Sequence, residues 1–326
     1  MKRLQISVAK TAGFCFGVDR AVRLVEQLLD EGKKVCTLGP IIHNRQMVDR
    51  LAKRGVRIIE SPGQAQPGET VVIRSHGVGR AVYEQLQREN TAFADATCPF
   101  VAKIHRIVSE QSDGEGILFL AGNEQHPEVQ GILGHFSGES HVFGSRVDLE
   151  NFLKNRPEYC QKRLILVAQT TFQVSEWKKC KEIFKKLCTN SIIFDTICIA
   201  TDKRQQEAEE LSQKSDLMIV VGGKDSSNTA KLCRVCAQHC PTVHVESAEE
   251  IPPERILCAD TIGVTAGAST PSYIIKEVQN TMTEILENNK NEAEVNEAET
   301  AAVQAGDEGA FDFEKAIDDT CKTVQR

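Results

Sequence analysis

The sequence predicts an α/β protein of three similar βαβ-type lobes, with parallel-type sheets in a pseudo-threefold (trefoil) arrangement around one central site. Short apolar runs alternate with helix-like segments, a pattern typical of parallel βαβ units. The pattern also repeats, because Cys15, Cys98 and Cys198 each follow an apolar run and precede a helix-like segment. Ligands of open α/β sheets bind beyond the carboxyl ends of the strands. Three such units around a common axis would therefore bring their polar strand ends together.

The second repeat shows the position of the cysteine most clearly. Asp95-Ala96-Thr97-Cys98-Pro99 separates an apolar run from an amphipathic pattern, and Pro99 suits the first turn of a helix. Cys98 is therefore expected at a strand-to-helix junction, near the positive end of a helix dipole. That position favours a thiolate, the form that binds metal. The repeat predicts the same position for Cys15 and Cys198.

Each lobe contains two further apolar runs that end in polar turns. The first of these turns lies 28 residues after each cysteine. The turn residues are His43, His126 and Ser226 in the first turns, and His76, Thr170 and Ser269 in the second. These side chains are expected to meet at the central site.

The chain divides by pattern and composition. We expect an N-terminal strand at 1–13 that joins the third lobe, lobes at 14–96, 97–193 and 194–283, and an acidic, disordered tail at 284–326, with a short helix near 311–317. Residues 287–326 contain eleven acidic and four basic residues, which accounts for the whole net charge of −7. The nearly neutral body argues against binding nucleic acid through its phosphates. No apolar run is long enough for a membrane span or a secretory signal, so a cytoplasmic location is expected.

The three repeated cysteines permit two interpretations. Twelve cysteines in a cytoplasmic protein favour metal ligands or buried thiols over disulfides. Structural zinc sites usually use closely spaced pairs, whereas these cysteines lie 83 and 100 residues apart. A three-cysteine iron–sulfur cluster with one open iron fits better; the alternative is three small residues packed at tight junctions. Cys233, Cys236 and Cys240 include a C-x-x-C pair, but their helical spacing favours a core-facing stripe.

The remaining turn residues suit an anion and a proton donor. The three histidines, with Ser226, Asn228 and Ser269, offer hydrogen-bond donors, although a single histidine in a turn is often only solvated or capping. The Gly-rich run 221–228 can present backbone N–H groups to a phosphate or diphosphate, without the spacing of a P-loop. Glu128 can deliver a proton beside a metal, or can simply stabilise a helix N-terminus. Thr170 can orient that carboxyl or cap a helix.

These motifs resemble the family of 4-hydroxy-3-methylbut-2-enyl diphosphate reductases, over roughly residues 4–283. The resemblance is carried by AGFCFGV at 12–18, GPIIHN at 39–44, RSHG at 74–77, DATCP at 95–99, HPEV at 126–129, QTT at 169–171, DTIC at 195–198, SSN at 226–228 and AGAS at 266–269. The family performs the last step of the methylerythritol phosphate route to isoprenoids.

The resemblance implies a role for each matched residue. Cys15, Cys98 and Cys198 would hold one 4Fe–4S cluster per subunit, whose fourth iron binds the allylic hydroxyl of the substrate. The diphosphate would be bound by His43, His76, His126, Thr170, Ser226, Ser227, Asn228 and Ser269. Glu128, helped by Thr170, would protonate the departing oxygen. Ferredoxin or flavodoxin would deliver two electrons singly, giving isopentenyl and dimethylallyl diphosphate.

Two other classes of function remain open from the residues alone. One is a zinc-dependent phosphoester hydrolase, which would be colourless and would need no reductant. The other is a non-catalytic protein that binds phosphoanions or senses redox state through packed thiols. Neither explains why thiols, histidines and one carboxyl occupy equivalent strand ends.

Overall fold

The computed structural model describes residues 5–112 and 114–307, with side chains described as far as residue 290. The described chain forms three four-stranded sheets in which every strand pair is parallel, and helices surround each sheet. The predicted fold class, three α/β lobes with parallel sheets, is confirmed.

The lobes share one order of elements. The first contains α1 (Phe16–Asp30), β2 (Lys34–Leu38), α2 (Arg45–Lys53), β3 (Arg57–Ile59), β4 (Glu69–Ile73), α3 (Arg80–Arg88) and β5 (Phe93–Asp95). The second contains α4 (Pro99–Glu110), β6 (Ile117–Ala121), α5 (Pro127–Leu133), β7 (Ser140–Phe143), α6 (Arg146–Asn155), β8 (Leu164–Ala168), α7 (Val174–Leu187) and β9 (Ser191–Ile193). The third contains α8 (Ile199–Ser212), β10 (Leu217–Val221), α9 (Ser227–Cys236), β11 (Thr242–Val245), α10 (Pro253–Leu257), β12 (Thr261–Ala266) and α11 (Ser272–Asp307), and β1 (Gln5–Val8) precedes all three.

The strand before each cysteine belongs to the sheet of the preceding lobe. The sheet orders are β3-β2-β4-β5, β7-β6-β8-β9 and β11-β10-β12-β1. Each cysteine therefore joins the last strand of one lobe to the first helix of the next. The ring closes because β1, which leads to Cys15, pairs with β12 of the third lobe. The strand at the N-terminus thus lies where it is expected, and the exact lobe boundaries remain predictions.

The strands that can be predicted from the sequence are the fully buried ones. Every residue of β6, β8 and β10 is buried, as expected for parallel strands covered on both faces. These continuous apolar runs are readable in the sequence. The outer strands β3, β7 and β11 contain three or four residues of mixed exposure and were not predicted.

The C-terminal region differs from its prediction as a disordered tail from residue 284. Helix α11 continues to Asp307, and its first turns pack Ile274, Val278 and Met282 against the core of the third lobe. The predicted short helix at 311–317 lies outside the described residues. Within the described chain, no helix is long and apolar enough to cross a membrane.

Candidate active site

A cavity at the junction of the three lobes brings together all twelve site residues selected from the sequence. Cys15, Cys98, Cys198, His43, His76, His126, Glu128, Thr170, Ser226, Ser227, Asn228 and Ser269 line it. They come from the starts of α1, α4, α5, α8 and α9 and from the turns that follow β2, β4, β8 and β12. The roles of these residues remain predictions, but they share one space.

The three thiols occupy equivalent places at the start of helices. Cys15, Cys98 and Cys198 are the N-cap residues of α1, α4 and α8, and their side chains make no capping hydrogen bond. Their backbone N–H groups donate to the carbonyls of Ala268, Ser75 and Thr170, respectively, at 3.0–3.1 Å. Each acceptor lies in the turn that follows a central strand of the preceding lobe. The fold therefore fixes each cysteine by the same backbone contact.

Two sets of side chains in the cavity are of types that can bind metal. Among the described residues, the one set of three candidate ligands with atoms all within 4.8 Å of one another is His43, His76 and His126. The three cysteines line the same cavity. The cavity therefore offers two sets of potential metal ligands, one of imidazoles and one of thiols, and thiols are the usual ligands of iron–sulfur clusters.

For Cys98 and Cys198, the helix position alone is not enough to favour a thiolate in the absence of metal. Burial raises the pKa of Cys98 and of Cys198, and the neighbouring Cys15 thiol adds to the rise. First-turn backbone N–H groups lower both pKa values, as the helix position predicts, but their effect is smaller. Without a metal, both thiols are therefore protonated at neutral pH, and metal binding must displace their protons.

The first turn of α1 approaches Cys98 closely. A Cβ atom added at Gly17 would lie 2.5 Å from the Cys98 Sγ and 3.0 Å from its Cβ. Two of the three thiol-bearing junctions are therefore in direct contact, and only glycine fits between them. Gly17 of the AGFCFGV motif is the residue at this contact.

The three histidines form a triangle of neutral rings. Their ring centroids are 4.6 Å apart for His43 and His76, and 5.3 Å apart for the other two pairs. Burial lowers all three pKa values, and Arg74 adds to the effect. Neighbouring rings lower the pKa values of His76 and His126 further, and the pKa of His126 falls to about 3. Within the described chain, His43 Nε2 and His76 Nδ1 are buried without a hydrogen-bond partner. Neutral rings with unpaired nitrogens can donate hydrogen bonds to an anion through their N–H groups.

The carboxyl of Glu128 is buried at the start of α5 and is held by one residue. Its Oε1 accepts from the backbone N–H of Thr170 at 2.6 Å, and its Oε2 accepts from the Thr170 hydroxyl at 2.8 Å. Burial raises the pKa of Glu128, although these hydrogen bonds and the charge of Lys231 act against the rise. The side chain is therefore fixed in direction, and its burial favours the protonated form.

The third lobe contributes the polar start of α9. The Ser226 hydroxyl caps the helix by accepting from the N–H of Thr229, and Asn228 Nδ2 is a buried donor without a partner in the described chain. The Ser269 hydroxyl donates to the carbonyl of His43 at 2.9 Å and so links the third lobe to the first. A helix N-terminus with free donors suits an anion.

The structure also adds residues that the sequence did not reveal. Arg204 lines the cavity although it is 4% exposed, and it lies on a face of α8 where Thr201, Gln205 and Ala208 are also buried. That face is mostly polar, so hydrophobic periodicity could not indicate it. The competing cysteines pack in the core as the helical spacing predicts: Cys236 is buried with Ala208 and Met218, and Cys233 and Cys240 pack against that cluster.

Comparisons with known proteins agree with this geometry. The family model described as LytB protein matches residues 6–283. A 4-hydroxy-3-methylbut-2-enyl diphosphate reductase of Thermoanaerobacter sp. (strain X514) is 42% identical over 280 residues, which cover 84% of this chain and 95% of that protein. The protein of the same name from Caldanaerobacter subterraneus subsp. tengcongensis is 40% identical over 280 residues, with the same two coverages.

Two solved structures are similar as well. A structure of (E)-4-hydroxy-3-methyl-but-2-enyl diphosphate reductase, described as the terminal enzyme of the non-mevalonate pathway, is 37% identical with a TM-score of 0.63 and covers 86% of this chain and 99% of its own. The structure of E-1-hydroxy-2-methyl-but-2-enyl-4-diphosphate reductase from Plasmodium falciparum is 27% identical with a TM-score of 0.76, and covers 86% and 87%.

Proposed function

The chain belongs to the LytB protein family, and we propose that its central cavity catalyses the reductive dehydroxylation of (E)-4-hydroxy-3-methylbut-2-enyl diphosphate. The reaction consumes two electrons and two protons, breaks the allylic C–O bond and releases water. It yields isopentenyl diphosphate and dimethylallyl diphosphate, in the last step of the methylerythritol phosphate route. One observation carries the proposal: a single cavity is lined by three thiols, three neutral histidines and one buried carboxyl.

The residues present fit a 4Fe–4S cluster. Cys15, Cys98 and Cys198 have free thiols at three helix starts, and all three line the same cavity. When bound, the cluster supplies single electrons and an iron without a protein ligand that acts as a Lewis acid on the hydroxyl oxygen. The backbone N–H groups at the starts of α4 and α8 lie close to their thiols and stabilise the charge of the thiolates.

The other side of the cavity binds the diphosphate. His43, His76 and Asn228 have buried polar atoms without a partner in the described chain, which an anion can satisfy. Ser226, Ser227 and His126 add further donors to this set. Ser269 and Thr170 line the same cavity, and their hydroxyls, which here donate to the His43 carbonyl and to Glu128, would have to turn to donate to the anion. The start of α9 adds the positive end of a helix dipole to these contacts.

Glu128 is the proton donor. Its raised pKa keeps the proton available, and Thr170 holds the carboxyl in one orientation. A hydroxide is a poor leaving group, so protonation of the departing oxygen lowers the barrier to C–O cleavage. The electron donor, a ferredoxin or flavodoxin, follows from the resemblance alone, and the cytoplasmic location rests on the sequence pattern.

The first experiment measures iron, acid-labile sulfide and turnover on anaerobically purified protein. We expect four irons and four sulfides per chain for the wild type, with reduction of the diphosphate alcohol by a chemical one-electron donor. Cys98→Ser should lose cluster and turnover together because it removes one of three ligands. Cys258→Ser is the matched control, since that cysteine is exposed, and it should keep both.

Two outcomes would contradict the proposal. Colourless wild-type protein that carries zinc would favour the phosphoester hydrolase, with the histidine triangle as the metal site. Protein that binds no metal after anaerobic reconstitution would leave only an anion-binding role.

A further inference from the structure

Two side chains of helix α8 hold the segment that leads to Cys15. One binds the backbone carbonyls of this segment, and the other binds its backbone N–H groups. The guanidinium of Arg204 donates to the Thr11 carbonyl from Nε at 3.0 Å and from Nη2 at 2.6 Å, and Nη2 also donates to the Gly13 carbonyl at 2.7 Å. One turn further along the helix, the carboxylate of Glu207 accepts from the N–H groups of Lys10 and Thr11, each at 2.8 Å. The connection between β1 and α1 is therefore fixed to the helix that begins at Cys198.

This contact connects two of the three thiols. Arg204 lies six residues after Cys198, and Gly13 lies two residues before Cys15. Gly13 has a φ of +102°, a left-handed conformation in which the segment turns toward its helix. A rigid link from α8 to this turn fixes the distance between Cys15 and Cys198, which a ligand shared by both thiols requires.

Arg204 also places a buried positive charge beside the thiols. It is 4% exposed, it lines the cavity, and its hydrogen bonds go to neutral carbonyls. Burial lowers the pKa of Arg204, while Cys15 and Cys198 are the main groups that raise it. Charges interact more strongly in a buried site than in water. Three thiolates and a reduced cluster would therefore be stabilised by this cation.

We propose that Arg204 is a positioning residue that fixes Cys15 relative to Cys198 and raises the reduction potential of the iron–sulfur group they hold. The inference rests on the proposed function. The potential of such a cluster depends on the net charge and hydrogen bonding around it. Gaining an electron adds negative charge, which a nearby cation favours.

The test compares holoenzymes of the wild type, Arg204→Met, Arg204→Lys and Lys203→Met by EPR-monitored redox titration. Arg204→Met should make reduction of the cluster about tenfold less favourable, equivalent to a potential lower by about 59 mV for one electron. Lys203→Met removes the adjacent, exposed charge and should change the potential far less, because solvent and salt screen it. Arg204→Lys keeps the charge and should restore most of the potential.

A second measurement, iron release to a chelator, tests the positioning role. Arg204→Lys should release iron several-fold faster than the wild type, because one ammonium cannot reproduce the three hydrogen bonds of the guanidinium. Lys203→Met should release iron at the wild-type rate. This comparison still decides the positioning role if Arg204→Met binds no cluster.

The inference fails if Arg204→Met has the wild-type potential, or if Arg204→Lys releases iron at the wild-type rate. Neither result would contradict the proposed function. Wild-type protein that contains the cluster but does not reduce the diphosphate alcohol contradicts the reaction, and the titration of its cluster still tests Arg204. Wild-type protein without iron contradicts both.

Discussion

At the scale of single residues, the site keeps its acid and its bases uncharged by burying them. Glu128 is buried and its pKa is raised, whereas burial lowers the pKa values of His43, His76 and His126. Each group therefore holds the protonation state that suits its proposed role. A protonated carboxyl can donate a proton, and neutral imidazoles can bind a diphosphate without repelling one another.

Glu128→Gln should separate proton delivery from cluster binding. Glutamine has the same size and can accept the hydrogen bond from the Thr170 N–H, but it cannot release a proton. We expect wild-type iron content and a turnover lower by roughly 10²- to 10⁴-fold, the usual contribution of a general acid. Glu124→Gln changes an exposed carboxyl in the same turn and should leave turnover unchanged. An active Glu128→Gln enzyme contradicts the role.

The proposed role of Glu128 also predicts how turnover changes with pH in the wild type and in Glu128→Gln. Turnover of the wild type should fall as pH rises through the raised pKa of Glu128, because the donor loses its proton. Glu128→Gln should lack this decrease. The stability that the protonated carboxyl contributes is fully present below its unfolded pKa and is lost as pH rises through its folded pKa. Urea unfolding at several pH values checks this sign.

Sequence predicts the site residues unevenly. The cysteines and polar turns are readable because they recur at fixed intervals after apolar runs. Arg204 cannot be predicted from the sequence, because it lies on a polar face of α8 and polar residues give no sign of burial. The raised pKa values of Cys98 and Cys198 are not readable either. They depend on how deeply the lobes bury the thiols, which exceeds the effect of the helix dipole.

At the scale of elements, the starts of five helices converge on the cavity, and three of them carry the cysteines. The parallel central strands predict this convergence because their carboxyl ends share one edge of each sheet. The outer strands β3, β7 and β11 escape prediction because they are short and only partly buried. They lie at sheet edges, away from the cysteine junctions, so missing them does not affect the predicted site.

Gly17→Ala tests the close approach of α1 to Cys98. The added Cβ would meet the thiol at 2.5 Å, so either α1 or Cys98 must move. Because alanine favours helix, we expect unchanged circular dichroism with a several-fold lower iron content. Gly63→Ala is the control, since the nearest atom to its added Cβ is 4.0 Å away, and it should retain iron. Full iron content in Gly17→Ala would show that this contact is not needed.

At the scale of the whole molecule, the three lobes form a closed ring in which each lobe supplies the strand that leads to the next cysteine. β1 closes this ring by pairing with β12. No single lobe contains the site, because its thiols, histidines and carboxyl come from different lobes. The repeat in the sequence predicts this arrangement, whereas composition alone wrongly predicted that order ends at residue 284.

Two truncations should separate the contribution of α11 to the stability of the third lobe from the effect of the acidic C-terminal residues on solubility. Met282 is buried, and Ile285 and Leu286 pack against the third core. A chain that ends after Asn280 loses these side chains, and removal of one large buried side chain typically costs about 2–5 kcal/mol. Its free energy of unfolding should therefore fall sharply in urea titrations.

A chain that ends after Lys290 keeps those core contacts and the whole cavity. It loses residues 291–326, which contain ten acidic and three basic residues, so its formal net charge changes from −7 to zero. We expect turnover and the free energy of unfolding to match those of the full chain, while solubility near pH 7 falls, because a net charge near zero promotes association. A loss of turnover in this chain, measured while it is still soluble, would mean that residues beyond 290 contribute to the site.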